Sequence, residues 1–136
     1  IRDRVKHHGV HFLEKKHEKL VLNSSNKNDV LKLLGEPSTK STFDNDVWIY
    51  IERKVSTGKI YYLGKEKLIV NNVLVLELNN MGLVASKKLY NKNDMNKLTF
   101  AENATDPKYR KRSFVYDFLS SMRQKINDPL GKRKNK

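Results

Sequence analysis

Hydrophobic positions along the chain come in short periodic runs separated by polar stretches, and the period changes from helical to alternating near residue 46. Val30, Leu31, Leu33 and Leu34 lie on one face at helical spacing. Asn26 stands where a helix cap belongs, with Asp29 three residues on, and Gly35 and Pro37 supply a stop. This pattern predicts a helix over Lys27 to Leu34. A preceding helix is expected over His11 to Leu22, with Phe12, Leu13, Leu20 and Val21 on its apolar side and Lys15, Lys16 and Lys19 in water. Ile1 to Val10 is mostly polar, is interrupted by Gly9, and reads as an extended arm.

Beyond the polar loop Ser38 to Asn45 the alternation is that of a strand. From Val47 to Arg53, Val47, Ile49 and Ile51 fall on one side, with Trp48 and Tyr50 on the other. Ser56, Thr57 and Gly58 signal a turn, after which Ile60, Tyr61 and Tyr62 extend the hairpin. Leu68 to Leu78 is the longest strand candidate. Asn79 to Gly82 forms the next turn, and Leu83 to Tyr90 returns as a third strand. Asn91 to Arg112 is polar, is broken at Asp106 and Pro107, and reads as a linker. Ser113 is expected to cap a last helix carrying Phe114, Phe118, Leu119, Met122 and Ile126, stopped by Pro129 and followed by a basic tail. The expected fold is α+β: two N-terminal helices packed on a three-stranded antiparallel meander, plus a C-terminal helix. Residues 1–22 form an arm and first helix, 23–90 the core domain, 91–112 a linker, and 113–136 the last helix and tail.

Charge narrows the partners. The 136 residues carry a formal net charge of +13, with clusters at Lys15, Lys16 and Lys19, at Lys108 to Arg112, and at Lys132 to Lys136. Such a balance favours nucleic acid, anionic head groups or acidic protein surfaces. Cysteine is absent, which excludes disulfides and thiolate metal clusters. No apolar stretch approaches the roughly 18 residues of a membrane span. The start at Ile1 and not at methionine suggests a removed upstream signal or anchor segment.

Candidate chemistry is sparse. His7 and His11 are four residues apart and His8 lies between them, but Gly9 interrupts any helix and no carboxylate completes a metal set, so the bland reading is a polar arm. Asp44 and Asp46 could pair as acid and base, but they sit in a turn-forming stretch where aspartate is expected anyway. The glycines are scattered and build no phosphate-cradling loop, and no serine has the context of a nucleophile. These features argue against an enzyme, a cofactor and a metal. Trp48 and Tyr50 are either core residues or part of an apolar sheet face that the last helix or a partner must cover.

The run Asp29 to Lys54, DVLKLLGEPSTKSTFDNDVWIYIERK, resembles the BamE (SmpA/OmlA) family of outer-membrane assembly lipoproteins. The resemblance includes Leu-Leu-Gly-x-Pro ending at Pro37, the spacer with Phe43, Trp-x-Tyr at Trp48 to Tyr50, and the strand, turn and strand of Leu74 to Val84. It covers about half the chain and looks most like alphaproteobacterial members. It implies two helices on a three-stranded sheet and a lipidated cysteine holding the domain at the periplasmic face of the outer membrane. It also implies binding to the BamD and BamA subunits and to anionic phospholipid, phosphatidylglycerol in particular. Positions matching the family's binding surfaces are Lys6, His8, Ser38, Ile49 and Arg53, together with Phe43 of the spacer; Gly35, Pro37, Trp48 and Tyr50 match its structural positions. Ile49 stands where an aromatic residue is common, the anchoring cysteine is not in this chain, and nothing carries over to residues after Asn91.

Two other classes compete with an accessory subunit. A nucleic-acid-binding module would use the charge and the six tyrosines, but no recognition helix or RNA-binding aromatic signature is present, so no nucleic acid is expected. A periplasmic inhibitor-like binding domain could be built on the same elements, since fold does not fix function.

Overall fold

A computed structural model describes residues 4–57, 66–100, 105 and 107–127. Its elements are β1 (Arg4–Gly9), α1 (Leu13–His17), α2 (Lys27–Leu34), β2 (Thr39–Thr42), β3 (Asp46–Thr57), β4 (Glu66–Leu78), β5 (Val84–Tyr90), α3 (Lys92–Asn96) and α4 (Tyr109–Asn127). The sheet runs in the order β1-β3-β4-β5, with β2 also paired to β3. The α+β class and the antiparallel pairing are as expected. The described residues contain five strands and four helices, where three strands and three helices were read from the sequence.

Each difference has a local cause. The arm is a strand, β1, because Gly9 turns with φ 84 in a place where a Cβ would collide with the Ile51 carbonyl. Val10 N–H then donates to the same carbonyl at 2.9 Å. The first helix shrinks to Leu13–His17: Phe12 enters it in the left-handed region, the helix ends at Glu18, and Asn23, at φ 62, turns the chain again before α2. Leu13 and Leu20 are buried, while Phe12 and Val21 face solvent. In the Ser38 to Asn45 loop, Thr39 to Thr42 pairs with Ile49 to Asp46 as a short strand. The stretch read as a linker holds α3, whose Asn91 and Asp94 form a capping box, and α4 begins at Tyr109, so Ser113 lies inside the helix and does not cap it. The turn at Gly58, the Ile60 to Tyr62 extension, Pro129 and the basic tail lie outside the described residues.

The chain gathers into two compact units, one of Ile1–His7, Arg53–Asn71 and Asn91–Lys136, the other of His8–Glu52 and Asn72–Tyr90. In the second unit, α2 forms as expected. Asn26 accepts from Asp29 N–H while the Asp29 carboxylate accepts from Asn26 N–H, so the box satisfies two amides that the helix start would otherwise leave unpaired. Gly35 ends it at φ 78, a backbone conformation open to glycine and strained for other residues. Val30 and Leu34 point into a core of Leu13, Leu20, Trp48, Tyr50, Leu74, Leu76, Leu78 and Val84. Burying each of these side chains contributes about 1.5–3 kcal/mol before the entropy of ordering is subtracted. Trp48 and Tyr50 therefore face the helices. Val47, Ile49 and Val73, on the opposite sheet face, have no exposed surface either, which leaves no apolar side of this part of β3 for a partner.

In the first unit, Val55, Met95, Leu119 and Met122 are buried with Asn71, and α3 packs on α4. Phe100 stacks on Tyr116 at 5.1 Å between ring centroids and tilts toward Tyr109 at 5.8 Å. Arg123 donates to the Leu98 carbonyl at 3.2 Å, tying the segment between the helices to α4. Among the described residues no helix is long and apolar enough to cross a membrane.

Candidate functional site

The loop that follows α2 is fixed from below. Tyr50 is fully buried in β3 and its hydroxyl donates to the Gly35 carbonyl at 2.8 Å. Burial pushes the Tyr50 phenol well above its ordinary range, and the negative charge of Glu36 adds to the shift. The hydroxyl stays protonated and remains a donor. Ser38 N–H then donates to the Ile49 carbonyl at 2.9 Å, which aligns β2 against β3 and leaves the Ser38 side chain exposed. Phe43 N–H donates to the Asn45 carbonyl at 3.0 Å and closes the turn between the two strands.

Beside this hairpin is an open cleft of about 340 Å³ lined by Lys27, Lys40, Ser41, Thr42, Asp46 and Trp48. Lys27 pairs with Asp46 at 2.8 Å, and Thr42 donates to the other Asp46 oxygen at 3.1 Å. The hydrogen bond from Lys27 holds the Asp46 carboxyl below the usual carboxylate range; partial burial opposes it, while the Thr42 bond and the charges of Lys27 and Lys40 reinforce it. Lys40 lies opposite Trp48 in the ladder and places its ammonium 5.5 Å from the indole centroid, within cation–π reach. The arrangement offers charge, hydroxyls and one aromatic face. Among the described residues there is no group of three metal-ligating side chains.

A second fixed feature is the entry to α1. Glu52, 6% exposed, accepts from Leu13 N–H through Oε1 at 2.9 Å and from Phe12 N–H through Oε2 at 3.0 Å. A side chain forty positions away in sequence thus caps the helix start that Phe12, which has no capping side chain, leaves open. Phe12 adopts φ 59, ψ 44, a conformation that costs about 1–2 kcal/mol for a residue with a bulky side chain. At the far end of the same segment, the Lys87 ammonium donates to the carbonyls of His17 and Leu20, each at 2.8 Å, where a cation complements a helix C-terminus.

The residues read as candidates are placed as follows. His8, Ser38 and Phe43 lie in the second unit, the first two exposed and Phe43 half-buried. Ile49 is fully buried opposite Thr39. Lys6, exposed, and Arg53, half-buried, belong to the first unit, and the Arg53 Nε is buried without a hydrogen-bond partner among the described contacts. Gly35 and Tyr50 are brought into direct contact, and Pro37 sits half-buried between Gly35 and Ser38. Lys27, Lys40, Phe12 and Glu52 are absent from the candidates read from the sequence, and Asp46 was weighed there only beside Asp44 and read as a turn residue. Glu52 carried a visible signal, since strand alternation puts it on the same side as Trp48 and Tyr50, and a lone carboxylate on a core face needs partners.

Comparison with known proteins gives one match. The family model described as the outer membrane protein assembly factor BamE domain matches residues 10–88, more than half of the chain. No curated protein matches significantly, and neither does any solved structure. The matched segment spans the Glu52 clamp, the capped and glycine-stopped α2, the Tyr50 to Gly35 bond and the β4–β5 hairpin, and on that match the chain belongs to the BamE domain family of outer-membrane protein assembly factors.

Proposed function

We propose that this protein is a non-catalytic accessory subunit of the outer-membrane β-barrel assembly complex, working at the periplasmic face and anchored through a lipidated cysteine upstream of Ile1. The observation that carries the reading is the family match over residues 10–88. The hairpin supports it: Tyr50 and Ser38 tie the Gly35 to Thr42 segment to the sheet by hydrogen bonds, so its backbone is ordered before binding and only its exposed side chains remain to be ordered. BamD and BamA are the proposed partners. His8, Ser38 and Phe43 on one unit, and Lys6 and Arg53 on the other, are the proposed contact residues. Buried Ile49 acts from behind, as support for β2. Photo-cross-linking from Ser38 and Lys40 in native membranes tests this reading, which expects adducts to an assembly subunit and fails if none forms at either position.

Anionic phospholipid is the second proposed partner, and the distribution of charge supports it. The unit His8–Glu52 with Asn72–Tyr90 contains eight Lys and Arg against eight Asp and Glu, so the whole +13 resides in the other unit. A domain tethered beside an anionic leaflet gains about 1 kcal/mol for each basic residue held near the surface. Such attraction falls off within a Debye length.

A further inference from the structure

We propose that Asn71 is a positioning residue for Arg53, and that the two hold one enclosed water molecule between the Asn71 carbonyl oxygen and the Arg53 Nε–H. The accessory-subunit reading above enters only in treating Arg53 as a contact residue, and the water site is independent of it.

Asn71 is 2% exposed in the middle of β4. Its amide meets the Met95 sulfur at 3.8 Å through Nδ2, the one end of that group able to donate to a thioether, so the oxygen is the end left over. Among the described residues that oxygen has no hydrogen-bond partner, and neither does the buried Nε of Arg53. Both residues belong to the unit that also buries Val55 and Met95. Arg53 stands four residues before the end of β3 and Asn71 five after the start of β4, so they lie at nearly the same level of adjoining strands. Alternation puts Arg53 on the side of buried Val55, and Asn71 on the side of buried Val73, away from the core of Trp48, Tyr50 and Leu74. Side chains so placed are about 5 Å apart at Cβ when directly opposite and about 7–8 Å apart on the diagonal. An arginine and one water span either distance.

The occupant follows from the pair itself. One orphaned atom is a donor and the other an acceptor, so whatever lies between them must accept and donate at once. The carbonyl oxygen repels an anion and the guanidinium repels a metal cation, whereas water satisfies both. Enclosed polar atoms without partners are costly in low-dielectric surroundings, and internal water is their usual complement. With Nε held, the two terminal nitrogens of the planar guanidinium keep one direction, which is what a bidentate contact with a partner requires.

The test is nuclear magnetic resonance on the isotope-labelled full chain. The Arg53 Nε–H should show a cross-peak to a long-lived water, with the sign given by a molecule that tumbles with the protein. Asn71→Leu should abolish that cross-peak and speed exchange of the Nε–H about fivefold or more, the equilibrium equivalent of one net hydrogen bond. Asn71→Asp, which keeps an acceptor oxygen, should keep the proton protected. Absence of the water cross-peak in the native chain overturns the proposal without any variant having to fold, and so does an exchange rate that Asn71→Leu leaves unchanged. Capture of assembly subunits undiminished by Arg53→Ala would remove Arg53 from the contact surface and leave the water site standing.

Discussion

The hydroxyl of Tyr50 reaches from the middle of β3 to the carbonyl of Gly35, 2.8 Å away, and so joins the core strand to the residue that stops α2. One bond sets the height of the loop above the sheet, because Gly35 is also the residue whose positive φ turns the chain out of the helix. Tyr50→Phe keeps the ring and deletes the donor. Equilibrium urea unfolding should show a loss of about 1 kcal/mol, the usual net value of one such bond. Gly35→Ala should cost more, about 1–3 kcal/mol, even though an added Cβ meets no atom within 4 Å, because the penalty is conformational. A stability for Gly35→Ala equal to the native protein's would show that the loop relaxes to an ordinary helix end.

The caps can be tested as a pair. Asn26-Lys27-Asn28-Asp29 and Asn91-Lys92-Asn93-Asp94 are the same four residues, and each opens a helix whose next residue, Val30 or Met95, is fully buried. Both form the reciprocal box. Asn26→Ala and Asn91→Ala should each destabilise by about 1 kcal/mol. Hydrogen exchange should localise the loss to the amides of Asp29 and Asp94, and unchanged protection at those two amides would contradict the boxes.

That repeated tetrapeptide shows both the reach and the limit of reading this chain from its residues. At Asn26 the cap precedes four apolar residues at helical spacing and ends in Gly35, so the signals agree and α2 is legible to the residue. At Asn91 the same cap precedes one buried methionine in a five-residue helix, too short for a period to show. β3, β4 and β5 were legible by alternation, yet β1 and β2 were not, since neither Arg4 to Gly9 nor Thr39 to Thr42 has an apolar pattern and both belong to the sheet through their place beside β3. Phe12 misled for a related reason. It fits the helical stripe by spacing, but its backbone conformation is set by Glu52, forty positions away. Among the site residues, the Gly-x-Pro and Trp-x-Tyr positions were named from the family resemblance; strand alternation marks Glu52 as a carboxylate on the core face, whereas the amides it binds and the Lys27–Asp46 pair are tertiary relationships that no local spacing encodes.

Acid should weaken the Lys27–Asp46 pair in a defined window. Asp46 is held below its ordinary pKa in the folded chain, so its contribution is complete above the unfolded value of about 4 and is lost as pH falls through the folded value. Both side chains are partly exposed, at 42% and 30%, which limits the contribution to about 0.5 kcal/mol. Asp46→Asn should therefore be less stable than the native chain by that amount at pH 7 and equally stable near pH 2. A gap that persists at the acid end would point to packing, and not charge, as the role of Asp46.

The division of charge makes the sharpest test of membrane adhesion. Lys97, Lys108 and Arg110 are exposed in the unit that holds the entire net charge, whereas Lys15, Lys19 and Lys32 are exposed in the neutral one. Each set is three cations, so replacing either with glutamine lowers the chain's charge equally. If adhesion depended on total charge alone, both triple variants would lose the same affinity for phosphatidylglycerol vesicles. If it depends on where the charge lies, Lys97, Lys108 and Arg110 should account for about 1 kcal/mol each near the surface, a fall of about a hundredfold or more in partitioning at low salt. The Lys15, Lys19 and Lys32 variant should then stay within a few-fold of the native chain. Vesicle sedimentation across a salt series measures both, and the gap between the variants should close as ionic strength shortens the Debye length. Equal losses at low salt would place adhesion in the diffuse field of the whole chain and not in the basic unit.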